Sequence, residues 1–230
     1  MADASDIEVV VFDVLGTLVD EPRGVRAAIA DAVPAAGADR VAALSTEWHR
    51  YVAQQQRRIA RGARPYANSD VLDGEAARQV ADRAGGVAHA ALARLAEATR
   101  RLPPWADTAA GLDRLARRYC VLGLSNAGRT TLLRLAAHAG LRWHQALSAE
   151  TVRAYKPAPE VYRLALDVVD RPPERVLLVA AHAWDLRGAR RHGFRTGYVH
   201  RPGGDPPADG DAFDWRCAGL AELADVLTAD

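Results

Sequence analysis

The stretch Ile7-Glu8-Val9-Val10-Val11-Phe12-Asp13-Val14-Leu15-Gly16-Thr17-Leu18 decides the fold. An apolar run over Ile7 to Val14 reads as a strand buried on both faces, which is how strands of parallel sheets read. It carries Asp13 near its end, with Gly16 and Thr17 three and four residues on, at the C-terminal edge where ligands of such sheets bind. Further runs at Cys120 to Leu124, Val176 to Ala181 and Thr196 to His200, with a weaker one at Ala146 to Ser148, predict the remaining strands. Helical spacings lie between them: Leu112/Leu115/Ala116, Leu132/Leu135/Ala136/Ala139, Val161/Leu164/Ala165/Val168 and Leu220/Leu223/Val226/Leu227. The alternation predicts an α/β protein, a doubly wound parallel sheet with helices on both faces.

Residues 21–101 break that alternation. Their apolar positions, Val25/Ile29/Val33, Val41/Leu44/Trp48/Tyr51/Val52/Ile59, Val80/Ala81/Ala84 and Ala88/Ala91/Leu92/Leu95, all recur at helical spacing. The expected organisation is a catalytic core made of 1–20 and 102–230, with a helical cap domain at 21–101 and Leu102-Pro103-Pro104 as the return hinge. Pro202 to Asp211, rich in Pro, Gly and Asp, reads as a surface loop.

With 230 residues, 49% hydrophobic and 26% charged, the chain can bury a sizeable core. A formal net charge of +1 provides no global field for a polyanion, so no nucleic-acid partner is expected. No run approaches the length of a membrane span, so no membrane partner is expected either. The acidic start lacks a signal-peptide pattern, and two cysteines without metal-ligand spacing fit a reduced, cytoplasmic setting. Of the 30 basic residues only Lys156 is lysine, and asparagine occurs only at Asn68 and Asn126. In so arginine-rich a chain, a lone lysine is a candidate for chemistry that a guanidinium cannot perform, the alternative being a stray surface lysine.

Four predicted sheet-edge segments supply polar groups in chain order. Asp13 and Thr17 follow the first strand, Ser125-Asn126 the second, Lys156 comes just ahead of a helix, and His182-Ala183-Trp184-Asp185 follows a later strand. This constellation resembles the haloacid dehalogenase superfamily, and closely its type II 2-haloacid dehalogenases, over nearly the whole chain. The resemblance implies a parallel Rossmann-like sheet of about five strands with an inserted α-helical cap. It also implies residue roles. Asp13 is the nucleophile, oriented by Thr17; the amides around Leu15 and Gly16, with Ser125 and Asn126, hold a substrate carboxylate. Lys156 lies between Asp13 and Asp185, and Asp185, with His182, handles the water. The substrate-contacting set is completed by His49, Tyr162 and Trp184; for Tyr162 a packing role with the hydroxyl at the rim is the alternative, and Trp184 either walls the pocket or covers the core.

Within that superfamily the residues discriminate between reactions. Phosphatases carry an acid two positions after the nucleophile, where this chain has Leu15, and a Gly-Asp pair for Mg²⁺, where it has Ala180-Ala181. A hard cation needs several oxygen ligands, so no metal and no cofactor are expected. The implied activity is hydrolysis of short 2-haloalkanoic acids, with fluoroacetate among the candidates, to 2-hydroxy acids through an ester on Asp13. The alternatives are another hydrolase of the same superfamily, such as a phosphatase, or a member that binds without turnover. One departure is notable: many type II enzymes have arginine directly after a cap tryptophan, and here Trp48 is followed by His49, with Arg50 turned about 100° further round the helix. Type II members are often dimers, which extends the resemblance to a homodimer. Cys120 is expected to be a buried small hydrophobe, and Trp48, Tyr51 and Val52 to form cap core.

Overall fold

The computed structural model describes residues 4–229. Met1 to Asp3 and Asp230, the ends of the expected core, lie outside the described residues. The sheet is parallel and has six strands in the order β3-β2-β1-β4-β5-β6: β1 Val9–Phe12, β2 Cys120–Ser125, β3 Gln145–Ser148, β4 Val176–Ala180, β5 Arg195–Val199 and β6 Trp215–Cys217. The order reverses at β1, which pairs with β2 on one side and β4 on the other. A crevice therefore opens beyond its C-terminal end, immediately at Asp13.

Each strand side has its own core. Val10, Phe12, Val121, Leu177 and Val179 pack with Leu112 and Leu115 of α5 (Thr108–Ala116), Leu132 and Leu135 of α6 (Arg129–Ala139), and Leu220, Leu223 and Leu227 of α9 (Leu220–Thr228). On the other face, Val9, Val11, Leu122, Leu124 and Leu178 pack with Val161 and Ala165 of α7 (Pro159–Val169) and with Leu186 and Ala189 of α8 (Ala183–Arg190). Period-2 alternation of two apolar sets within one strand is what a sheet covered on both faces requires.

Residues 21–101 hold α1 Glu21–Ala32, α2 Ala38–Ala60, α3 Ser69–Ala84, α4 His89–Ala96 and a 3₁₀ turn at Ala98–Arg101. Asp20 caps α1 by accepting from the Arg23 amide at 3.0 Å, and Asn68 caps α3 by accepting from the Val71 amide at 3.1 Å. The apolar faces of α1 and α2, including Val25, Ile29, Leu44 and Trp48, are buried as the spacing predicts. The start of α3 is fastened to the sheet side. Ser69 Oγ accepts from the Gly128 amide at 2.7 Å, Thr131 donates to Asp70 at 2.6 Å, and Asn68 donates to Glu150 at 3.2 Å.

The parallel sheet expected with about five strands has six; the three residues of β6 are too short for a periodicity signal, and their parallel pairing with β5 is long-range. One expectation is corrected. Cys120, expected to be buried, is exposed at the first position of β2, whereas Cys217 is buried, and both are free. Among the described residues no helix is long and apolar enough to cross a membrane.

Candidate active site

The turn after β1 is built to hold a carboxylate. Thr17 Oγ donates to Asp13 Oδ2 at 2.7 Å and accepts from the Ala181 amide at 2.9 Å, so it ties the ends of β1 and β4 together. Gly16 has φ +79°, and a Cβ there would lie 2.7 Å from His182 Cε1. Glycine is therefore required twice over, for the left-handed turn and for the imidazole packed against it. The turn's carbonyls are held from behind by Trp105 Nε1, which donates to Gly16 O at 3.1 Å, and Arg201 Nε, which donates to Thr17 O at 3.0 Å.

Lys156 joins the carboxylates. Its Nζ donates to Asp13 Oδ1 at 3.0 Å and to Asp185 Oδ2 at 2.7 Å, and its side chain is 1% exposed. Asn126 Oδ1 accepts from the Lys156 backbone amide at 2.9 Å and anchors the segment that carries the ammonium. The other rare asparagine, Asn68, caps the helix fastened over the same sheet edge. His182 Nδ1 lies 3.3 Å from Asp13 Oδ2. α8 begins one residue later; its first amides, of Ala183 and Trp184, donate to Asp205, at 2.9 Å each. The loop read only as surface thus positions His182 and Trp184.

Burial would raise the Asp13 carboxyl, but the Lys156 charge, with hydrogen bonds from His182 and Thr17, outweighs it and holds the group well below the ordinary carboxylate range. Burial lowers the Lys156 affinity for its proton, yet the two aspartates reverse that and keep it protonated. Burial raises Asp185, with Lys156 partly offsetting the effect. His182 loses proton affinity through burial and gains more from Asp13, for a net upward shift.

A cavity of about 240 Å³ opens between this edge and the helices, lined on the sheet side by Asp13, Leu15, Ser125, Asn126, His182 and Trp184. It is smaller than the roughly 300–1,000 Å³ of drug-sized ligand sites and suits a small molecule. His49 also lines it. Its Nδ1 lies 2.7 Å from Ser45 O; a carbonyl can only accept, so Nδ1 carries the proton, and Nε2 is left without a hydrogen bond, 4.0 Å from Glu21. Arg50 is exposed and pairs with Glu47 at 3.9 Å instead.

Of the expected site residues, Gly16, Thr17, Lys156, Tyr162 and Asp185 do not line the cavity; the first three act on Asp13 or its turn from behind, and the last two lie deeper. Tyr162, read as either a substrate contact or a packing residue with its hydroxyl at the rim, takes the packing role: it is fully buried, and its hydroxyl donates to Asp185 Oδ1 at 2.7 Å. The ring sits against Gly188, where a Cβ would lie 2.2 Å from the hydroxyl; packing between α7 and α8 has drawn the tyrosine behind the site. Asp185 is also 0% exposed, with its two oxygens taken by Lys156 and Tyr162. The sequence reading missed Glu21, Gln56, Ser69, Asp73 and Thr99 on the cavity wall. A signal existed for one of them, because His49, Val52, Ala53 and Gln56 share one face of α2.

Asp73 stands apart. It is 6% exposed, accepts from Thr99 Oγ1 at 2.7 Å, and burial, opposed by that bond, pushes its carboxyl up to about 7. The folded state therefore binds this proton more tightly than the unfolded chain. The site costs nothing at pH below the ordinary carboxylate range, costs progressively more as pH rises toward 7, and holds a constant penalty above. Asp73→Asn keeps an acceptor for Thr99 and should raise stability by roughly 1–3 kcal/mol near pH 8 and by almost nothing near pH 4. Urea denaturation at the two pH values measures the difference; equal changes at both would refute the assignment.

The model for haloacid dehalogenase-like hydrolases matches residues 7–193. Over 225 residues, covering 96% of this chain and 98% of the relative, the sequence is 31% identical to (S)-2-haloacid dehalogenase H-109 of Pseudomonas putida. Among solved structures, the L-2-haloacid dehalogenase PA0810 is similar with a TM-score of 0.88 at 31% identity, covering 96% of this chain and all of that one. The defluorinating L-2-haloacid dehalogenase Rha0230 is similar with a TM-score of 0.88 at 30% identity, covering 97% and 96%.

Proposed function

The chain belongs to the haloacid dehalogenase-like hydrolases, and we propose that it hydrolyses short 2-haloalkanoic acids to 2-hydroxy acids, with residues 21–101 as its cap domain. The observation that carries this reading is an ionised, hydrogen-bonded Asp13 facing a small cavity, with Leu15 where a leaving alcohol would need a proton donor. Halide leaves as an anion and needs none.

The reaction proceeds in two steps. Asp13 attacks C2 in line; the carbon-halogen bond breaks with its electron pair going to the halide, and an aspartyl ester forms. The amides at Leu15 and Gly16, with Ser125 and the Asn126 amide nitrogen, hold the substrate carboxylate. Esterification removes the negative charge of Asp13, which is what raises the proton affinity of His182, so in the ester burial favours the neutral imidazole, any proton it held passing to solvent, and His182 can serve as the base. It takes a proton from water attacking the ester carbonyl and returns it to the departing alkoxide. Asp13, now a neutral acid, releases its proton to solvent. Asp185 is fully buried and does not line the cavity, so it acts as a positioning residue for Lys156. The ammonium occupies the space between Asp13 and Asp185, and among the described residues no group of three His, Cys, Asp or Glu side chains converges as a metal site. These residues do not fit a divalent cation, and no step uses one.

Halide release should be measured from chloroacetate, bromoacetate, fluoroacetate and 2-chloropropionate, with and without EDTA. A single turnover in ¹⁸O-water is expected to place label in Asp13 and none in the product hydroxyl, and His182→Asn should accumulate the ester as a mass adduct on Asp13. Product labelled in the first turnover would overturn the covalent route; an ester that turns over at the normal rate in the variant would remove His182 as base; and a rate abolished by EDTA would overturn the metal-free reading. The cytoplasm, where its two free cysteines stay reduced, is the proposed location. A homodimer is proposed from the family, with light scattering as its test.

A further inference from the structure

The wall that the helices contribute to the cavity offers acceptors and no lysine or arginine among the described residues. Glu21 faces His49. Asp73 is different: Thr99 donates to one oxygen, and no other described residue bonds to its carboxylate. Its place is rigid, since α3 is fastened at Ser69 and Asp70, one turn before it. Its second oxygen carries no protein hydrogen bond on a residue that lines the cavity, and neither attack by Asp13 nor hydrolysis of the ester uses it.

We propose that Asp73 is a specificity-determining residue whose open oxygen hydrogen-bonds a hydroxyl on C3 of the substrate, so that 2-halo-3-hydroxy acids are preferred over their 3-alkyl counterparts. The proposal rests on the dehalogenase reading of the same cavity. The volume permits it: at about 30 Å³ for each water-sized group, 240 Å³ exceeds what the five non-hydrogen atoms of a haloacetate fill. The chemistry selects a hydroxyl. With burial pushing the Asp73 carboxyl up to about 7, acid and carboxylate coexist near neutral pH; a hydroxyl can accept from the first and donate to the second, whereas an ammonium cannot accept the acid's O–H and an alkyl group bonds to neither form. A second substrate carboxylate would be repelled by Asp73 and Glu21.

The test compares kcat/KM for 2-chloro-3-hydroxypropanoate and 2-chlorobutanoate, which differ by hydroxyl against methyl, in the wild type, Asp73→Asn and Asp73→Leu. The wild type is expected to favour the hydroxyl substrate at least about tenfold, as sites built to bond a hydroxyl do. Asp73→Asn should keep part of that ratio, because its amide also donates and accepts, and Asp73→Leu should bring it to about one or below. A wild-type ratio of one, or an undiminished ratio in Asp73→Leu, overturns the proposal. If neither these compounds nor the haloacetates release halide, the dehalogenase reading itself fails. Calorimetric binding of 2,3-dihydroxypropanoate against 2-hydroxybutanoate then decides on Asp73: tighter wild-type binding of the dihydroxy acid, lost in Asp73→Leu, supports its role, and equal affinities overturn it.

Discussion

Asp13→Asn is expected to reduce halide release by at least about 10⁴-fold, the scale on which loss of a covalent nucleophile is felt. The amide oxygen can still accept from Thr17, so the turn is held while the charge that attacks carbon is gone. Lys156 keeps Asp185 as a partner at 2.7 Å, which limits the damage to the fold. Asp13→Ala should behave alike in activity, and circular dichroism should show both variants folded. Either variant retaining more than about a hundredth of wild-type halide release would refute the nucleophile assignment and point to Glu21 or Asp73, the other carboxylates on the cavity wall.

Lys156→Met should cost both activity and stability. Two buried carboxylates share this one ammonium, and removing it leaves their charges uncompensated. Breaking such a pair costs about 3–5 kcal/mol, which for a chain of this size lowers Tm by roughly 6–20 °C. Halide release should fall by more than about 10³-fold, because an Asp13 no longer held by its strongest counter-charge is protonated more readily by burial. Lys156→Arg separates charge from shape. A guanidinium keeps the charge, but its fork is wider than an ammonium, and the site leaves the lysine side chain 1% exposed, with no room for the exchange. The loss of activity should still exceed about a hundredfold, with less destabilisation than in Lys156→Met. Halide assays and thermal denaturation check both; a fully active arginine variant would show that charge alone is what the site needs.

The parts of the site legible in the sequence are those whose signal is local. Asp13, Gly16 and Thr17 sit within four residues after a strand run, and a short turn leaves them few places to go. Lys156 was visible through composition, as the one lysine in a chain of arginines. Helical spacing placed Trp48 in the buried stripe, as in the structure, whereas Val52, read with it as cap core, also lines the cavity. Less was legible wherever depth mattered. Tyr162 near the start of a helix and Asp185 just past a strand stand where expected, yet neither lines the cavity, because their depth is set by how closely α7 and α8 approach at Gly188. Asp205 fell in a loop with no pattern of its own, and only its contact with the start of α8 gives it a role.

By itself, then, the sequence determined a parallel α/β sheet interrupted by helices, and which polar residues follow which strands. Periodicities of two and 3.6 residues, and the chemistry of strand ends, are properties of neighbouring residues. Only the tertiary structure decided which of those residues face the cavity. It put His182 in front and Asp185 behind, and it brought Asp73 and Thr99, 26 residues apart, to one hydrogen bond on a wall where no motif marks them. The reason is physical: burial and pairing across distant segments depend on how helices pack over the sheet, and the identity of a residue does not carry that information.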